Sequence, residues 1–182
     1  MEEKSTLWKS GLTHGLITGL ALIIYSVLLF VLELNLKSGL NYLAYLIIIA
    51  GFIYGTKTYR DNALNGSITY SKALGYSTII LLVAAILSTI YNYVFFTIID
   101  PDIVDKILAV SEEKMLSRGM SDEQIEMGIE MSKKFMSPVV MTIMGFIWTM
   151  IFGFILALIT SAFIKKEDDS FQNAMQDIKE EE

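Results

Sequence analysis

The sequence has 182 residues, of which 53% are hydrophobic, and its formal net charge is −6. A mean hydropathy of +0.52 excludes an ordinary soluble domain and is typical of one compact membrane domain. The absence of cysteine excludes disulfides and thiolate metal sites. Because the acids are concentrated in residues 100–130 and 167–182, the negative charge describes two solvated segments and argues against a nucleic-acid partner.

The first predicted span covers residues 12–32, which contain no Asp, Glu, Lys or Arg. A helix of this length rises about 1.5 Å per residue and can cross a hydrocarbon core of about 30 Å. Gly11, Gly15 and Gly19 recur every fourth residue, so they form a bare stripe that another helix can approach closely. The stripe predicts a helix-packing surface.

Three further uncharged runs predict spans at residues 40–56, 73–99 and 138–164. Gly51 and Gly55 form a second bare stripe in the second span. The link 33–39 is short, which predicts that the first and second helices are antiparallel and in close contact through their glycines. Tyrosines near the ends of the second and third spans, including Tyr45 and Tyr91, resemble interfacial anchors.

A polar loop, residues 57–72, joins the second and third spans and carries Asn65-Gly66 as its turn signal. Five of its side chains are candidates for contact with anionic lipid headgroups or a protein partner: Lys57, Tyr59, Arg60, Tyr70 and Lys72. The alternative is that the basic residues only set the orientation in the membrane.

Residues 100–137 predict a helical hairpin outside the membrane. Asp100-Pro101 combines an N-cap acid with proline at the first helical position, which predicts a helix that begins there and runs to about Ser117. Ser121 and Gln124 have capping-box spacing for a second helix. Each hairpin helix has an apolar face to bury, on its neighbour or on the membrane surface.

The domain prediction is a single four-helix membrane domain, residues 1–166, followed by an acidic cytoplasmic tail, residues 167–182. Lys and Arg near the spans number eight on the side of the termini and six on the other side. This asymmetry favours a multi-pass protein of the cell inner membrane with both termini in the cytoplasm.

Several segments together resemble one family. They are Tyr59-Arg60-Asp61, residues 66–74, Asp100-Pro101-Asp102 after an aromatic helix end, and a last apolar helix closed by Lys165-Lys166. In order and spacing they are similar to the family called domain of unknown function 4199, from the first span to Lys166. The resemblance implies a small bacterial integral membrane protein with four helices and an acidic hairpin between the third and fourth. The family has no assigned activity, so the resemblance implies no catalytic residue.

His14, the only histidine, is either a proton carrier or a polar residue at headgroup depth, and the second interpretation is preferred because no span contains an acid. Eight of the ten methionines lie between Met115 and Met150, where flexible packing explains them better than a copper site. No phosphate loop, zinc-protease histidine pair or nucleophile elbow is present. The sequence therefore predicts no enzyme activity, no cofactor and no metal.

The preferred functional hypothesis is a non-enzymatic structural or interaction protein that works through lipid or protein partners, using residues 57–72 and 100–137. The alternative is a small transporter or channel subunit, oligomeric through the first glycine stripe. Five polar residues of the third and fourth spans are candidates for lining a passage: Ser88, Thr89, Asn92, Thr142 and Thr149. Three of them discriminate between the hypotheses: Ser88, Asn92 and Thr142. A pathway predicts that they share a wet cavity, whereas a scaffold predicts hydrogen bonds between helices in a dry core.

Overall fold

Four long helices account for most of the chain. The computed structural model describes residues 2–34 and 39–166, with side chains from residue 6 onward. Within these residues the α-helices are α1 (Glu2–Val31), α2 (Leu43–Ala63), α3 (Tyr70–Val94), α4 (Ile103–Ser117), α5 (Asp122–Phe135) and α6 (Pro138–Ile164). Helices α1, α2, α3 and α6 are long and apolar enough to cross a membrane. The predicted all-α fold, with four spans and a helical hairpin, is confirmed.

The helices extend beyond the uncharged runs at their polar ends. Helix α2 continues through Lys57 and Arg60 to Ala63, so only residues 64–69 remain as the connection to α3. Long basic side chains favour helix and can reach water while their backbone stays helical. Asn65 and Gly66 have φ of 52° and 87°, which confirms the predicted turn. Residues 35–38 of the predicted link and the predicted tail, 167–182, lie outside the described residues.

The first hairpin helix begins later than predicted. A π-helical turn, Phe95–Ile99, ends the third span, and α4 starts only at Ile103, with Asp102 in the N-cap position. The expected cap at Asp100 is wrong, because its buried carboxylate accepts a hydrogen bond from Lys106 Nζ at 2.7 Å. The Asp100 carboxylate is therefore paired with the Lys106 ammonium group and does not cap a helix.

The second half of the hairpin follows the sequence signals. Gly119 has φ of 73° and reverses the chain after α4. Ser121 and Gln124 form both hydrogen bonds of the capping box at the start of α5. The predicted capping box is confirmed.

The glycine stripe of α1 packs on α3 and not mainly on α2. A Cβ at Gly11 would meet Ile79, one at Gly15 would meet Val83, and one at Gly19 would meet Leu87. The glycines of α2 do face α1, since Gly51 lies against Thr18 and Gly55 lies against His14. The expected close contact of α1 and α2 is therefore confirmed through the glycines of α2. The glycines of α1, however, receive side chains of α3, which has the longer contact with α1.

Two ends of the bundle can be named from these contacts. At the loop end, the start of α1, the end of α2, residues 64–69 and the end of α6 come together, and Ile68 exchanges two backbone hydrogen bonds with Lys166. At the hairpin end, α1 ends and α2 begins, and Tyr25 Oη donates a hydrogen bond to the Leu40 carbonyl. Between them the core is filled by large side chains, with Phe52, Tyr76 and Ile80 fully buried.

Candidate functional site

Tyr59, one of the five predicted contact residues, lies in the core. Its side chain is only 2% exposed, and its ring stacks on Tyr76 with 4.3 Å between ring centroids. The predicted contact with lipid or a partner is therefore wrong at this position. The physical reason is that the end of α2 stays helical, which turns this aromatic face toward α3.

Arg60 connects the end of α2 to the end of α6. Its Nε forms an ion pair with Asp61 at 2.8 Å, and its Nη1 donates a hydrogen bond to the Ile164 carbonyl at 3.3 Å. That carbonyl belongs to the last turn of α6, where helix carbonyls lack partners within the helix. Arg60 thus stabilises a helix terminus from a neighbouring helix.

The other three predicted contact residues remain at the surface. Lys57 and Lys72 are exposed, and Tyr70 is half-buried with its hydroxyl donating to the Leu158 carbonyl at 3.4 Å. The loop therefore acts first as a structural clamp between α2, α3 and α6. Its accessible charge is smaller than the sequence suggests.

Next to this clamp, on the side of the bundle core, four polar side chains of α1, α2 and α3 form a buried polar cluster. His14 Nδ1 and Tyr76 Oη are 2.7 Å apart, and Thr56 and Ser77 hydroxyls are 3.1 Å apart. His14 is half-buried, and its hydrogen bond to α3 is a contact that the sequence alone does not indicate. Gly55 makes room for the His14 side chain, since a Cβ there would lie 3.1 Å from His14 Cβ. The cluster ties α1, α2 and α3 together with hydrogen bonds inside an apolar bundle.

A cavity of about 240 Å³ lies between α1, α2, α3 and α6 toward the hairpin end. The described residues that line it carry hydroxyls and amides but no charge, and its walls are otherwise aliphatic. The polar lining consists of Tyr25, Ser26, Asn41, Tyr45, Ser88, Tyr91, Asn92 and Thr149. Such a site suits an uncharged molecule with hydrogen-bonding groups and an apolar body.

Ser88 has a distinctive place in this lining. Its Oγ is buried and has no hydrogen-bond partner among the described residues. Ser88 shares one face of α3 with Tyr91 and Asn92, because residues three and four apart are neighbours on a helix. An unpaired hydroxyl in an apolar surrounding costs about 1–3 kcal/mol. Because the Oγ atom has almost no exposed surface, the Ser88 side chain must rotate before it can bond to a molecule in the cavity.

The five polar candidates of the third and fourth spans divide between two places. Ser88, Asn92 and Thr149 line the cavity, as a pathway requires. Thr89 and Thr142 lie instead on a separate, mostly apolar groove, and each donates a hydrogen bond to a carbonyl of its own helix at 2.7 Å. For these two residues neither a shared wet cavity nor a bond between helices is correct.

Sequence reasoning missed several cavity residues. The positions of Tyr45 and Tyr91 near the ends of their spans predict interfacial anchors. In the structure both tyrosines line the cavity together with Asn41. A usable signal existed, since Asn41 and Tyr45 are four residues apart and Ser88 and Asn92 repeat that spacing. Each pair therefore marks a polar strip near one end of its span.

The methionine-rich region contributes packing and exposed apolar surface. Met115 of α4 lies against Gly128 of α5, whereas Met127 and Met131 are exposed on α5. Among residues 2–34 and 39–166, no group of three or more His, Cys, Asp or Glu side chains is placed to hold a metal ion.

The chain matches the family described as "Protein of unknown function (DUF4199)" over residues 13–166. The chain belongs to this family. Neither a curated protein nor a solved structure matches it. The match with DUF4199 includes the cavity, the buried polar cluster and the hairpin, and it ends at the residue that pairs with Ile68. These features therefore lie within the DUF4199 domain.

Proposed function

We propose that the protein works without catalysis, by binding an uncharged amphipathic molecule of lipid class in the cavity at the hairpin end. The observation that carries the proposal is the cavity itself, which combines a neutral polar lining with an unpaired hydroxyl at Ser88. Lipid-class ligands can reach such a site from the membrane, where an apolar tail lies between helices while a polar head bonds to the lining.

The core supports binding in preference to free conduction. Between the cavity and the loop end, large side chains fill the core. They are Phe52 of α2 and Tyr76 and Ile80 of α3, and all three are fully buried. A channel needs a wet route past these side chains. With Gly11, Gly15 and Gly19 buried against α3, the glycine stripe is also unavailable as the surface of a channel oligomer.

A small transporter is the second candidate function. The polar cluster of His14, Tyr76, Thr56 and Ser77 favours it, because a second set of polar groups lies on the other side of the Phe52 and Ile80 layer. Alternating access would require that layer to open. Glycerol flux into proteoliposomes, followed by stopped-flow light scattering, tests transport of small uncharged polar solutes: flux above that of protein-free vesicles supports it, and background flux refutes it for this class of solute.

The orientation proposal places the loop end in the cytoplasm and the hairpin on the other side of a bacterial inner membrane. Eight Lys and Arg residues near the spans belong to the side of the termini and six to the other side. Under this orientation the cavity accepts molecules from the outer half of the bilayer.

Photolabelling tests the ligand proposal. The full chain is reconstituted in phosphatidylcholine vesicles with a diazirine derivative of 1-oleoylglycerol, illuminated, and mapped by mass spectrometry of its peptides. We expect saturable labelling of residues 22–29, 41–48 and 88–92. Unlabelled 1-oleoylglycerol should reduce that labelling while the lipid-facing surface of α6 stays labelled, because bulk lipid contact does not saturate.

A matched pair of variants makes the test specific. Ser88→Leu narrows the cavity and removes its unpaired hydroxyl, so saturable labelling should be lost. Thr89→Leu changes the neighbouring residue, which faces the separate groove, and should keep it. Circular dichroism checks that both variants remain helical. Labelling that does not saturate, or that survives Ser88→Leu, refutes the proposal.

A further inference from the structure

Helix α5 has an apolar surface that the hairpin does not cover. Ile125 is buried and Gly128 faces Met115, so this side of α5 packs on α4. Met127, Met131 and Phe135 are 63%, 67% and 67% exposed. Because they are spaced by four residues, they form one line along the helix, here called the α5 stripe.

The charged side chains of the second half of α5 lie along one side of the α5 stripe. At about 100° per residue, the side chains of Glu126, Glu130 and Lys133 lie about 140°, 100° and 160° from the centre of the stripe, and Glu123 lies about 80° from it on the same side. Lys134 borders the stripe on the side of Met127 by the same geometry. An exposed apolar line beside a charged side is the pattern of a helix that lies in a membrane interface.

The α5 stripe ends close in the chain to a helix that can span the membrane. Phe135 ends α5, and α6 begins at Pro138 with Val139 and Ile143 exposed on its outside. Three residues span at most about 11 Å, so the end of the stripe lies within that distance of the start of the membrane span. One end of the stripe therefore lies close to the start of the apolar helix α6.

We propose that α5 lies in the headgroup layer of the bilayer and inserts Met127, Met131 and Phe135 at the acyl boundary. The lipid surface is the partner, and Lys134 reaches the phosphate groups from the edge of the stripe. The acids Glu126 and Glu130 face water, so the contact does not depend on anionic lipid. This inference is independent of the ligand proposed for the cavity.

The cysteine-free chain is suited to the test, because each single-cysteine variant carries one label. Nitroxides are placed at Met127→Cys, Met131→Cys and Phe135→Cys, with Glu126→Cys and Glu130→Cys as matched controls on the same helix. The full chain is reconstituted in phosphatidylcholine vesicles. Power-saturation electron paramagnetic resonance then measures collisions with oxygen, which concentrates in lipid, and with a water-soluble nickel chelate.

We expect the ratio of oxygen to nickel accessibility to be several-fold higher at the three stripe positions than at the two controls. Equal, water-like ratios at all five positions overturn the proposal. Spectral broadening that disappears when labelled protein is diluted with unlabelled protein also overturns it, because a second copy then covers the stripe. Circular dichroism identifies any variant that loses helix, and the remaining stripe positions still decide the outcome.

Discussion

The substitution Gly11→Ala tests the packing of α1 on α3. A Cβ at position 11 would lie 2.6 Å from Ile79 Cγ2 and 3.3 Å from Ile79 Cβ. Carbon atoms in favourable contact are about 3.5–4.0 Å apart, so the Ile79 side chain or the helices must move by about 1 Å. Overpacking of this kind costs about 1–3 kcal/mol of the free energy of unfolding.

Gly145→Ala provides the matched control, because a Cβ at Gly145 of α6 would have no neighbour within 4 Å. Both substitutions gain about 1 kcal/mol from the better helix propensity of alanine. That gain cancels when the two variants are compared, so Gly11→Ala should be less stable than Gly145→Ala by about 1–3 kcal/mol.

The assay is reversible unfolding of the full chain in mixed micelles, with dodecyl sulfate as denaturant and far-UV circular dichroism as the signal. Ile79→Ala removes the Cγ2 atom that clashes, so the double variant should recover part of the loss. We expect a coupling of about 1–2 kcal/mol in the double-mutant cycle. Additivity within about 0.5 kcal/mol would show that Gly11 does not pack on Ile79.

Two further variants test local features of the structure. Tyr76→Phe removes the hydroxyl that hydrogen-bonds His14 and should lower the free energy of unfolding by about 1–2 kcal/mol, whereas Tyr70→Phe, whose bond is longer and half-exposed, should change it little. Equal losses would contradict a special role for the His14 pair. Ser121→Ala removes the cap of α5, costs about 1 kcal/mol, and should speed hydrogen exchange in α5 more than Ser117→Ala does. Unchanged exchange in α5 would contradict the cap.

Features that depend on neighbouring residues were predictable from the sequence. The capping box at Ser121 and the turn at Asn65-Gly66 are formed by a few adjacent residues whose backbone needs are known. The bounds of α6 also match the predicted span 138–164, because Pro138 and Lys165 mark the ends of an uncharged run. The start of α4 was predicted less well, since the buried Asp100 pairs with a lysine one and a half turns later.

The candidate sites were harder to predict because they depend on which side of each helix faces the bundle. Tyr59 has the residue type and the position of an interfacial anchor, but its ring is buried against Tyr76 of α3. The cavity is lined by polar residues of four helices. The sequence indicates only those of α3 and α6 as candidates for a polar passage. In a uniformly apolar span, hydropathy does not reveal rotation about the helix axis.

The sequence by itself determined that this is an all-α protein with four spans and a helical hairpin, because bilayer thickness and backbone hydrogen bonding allow few other solutions for four long uncharged runs. It also determined the family. Only the tertiary structure decided that the glycine stripe of α1 receives α3, that Tyr59 belongs to the core and that a neutral cavity lies at the hairpin end. In a membrane these choices follow from the fit of side chains between helices, since lipid and protein interior are similarly apolar.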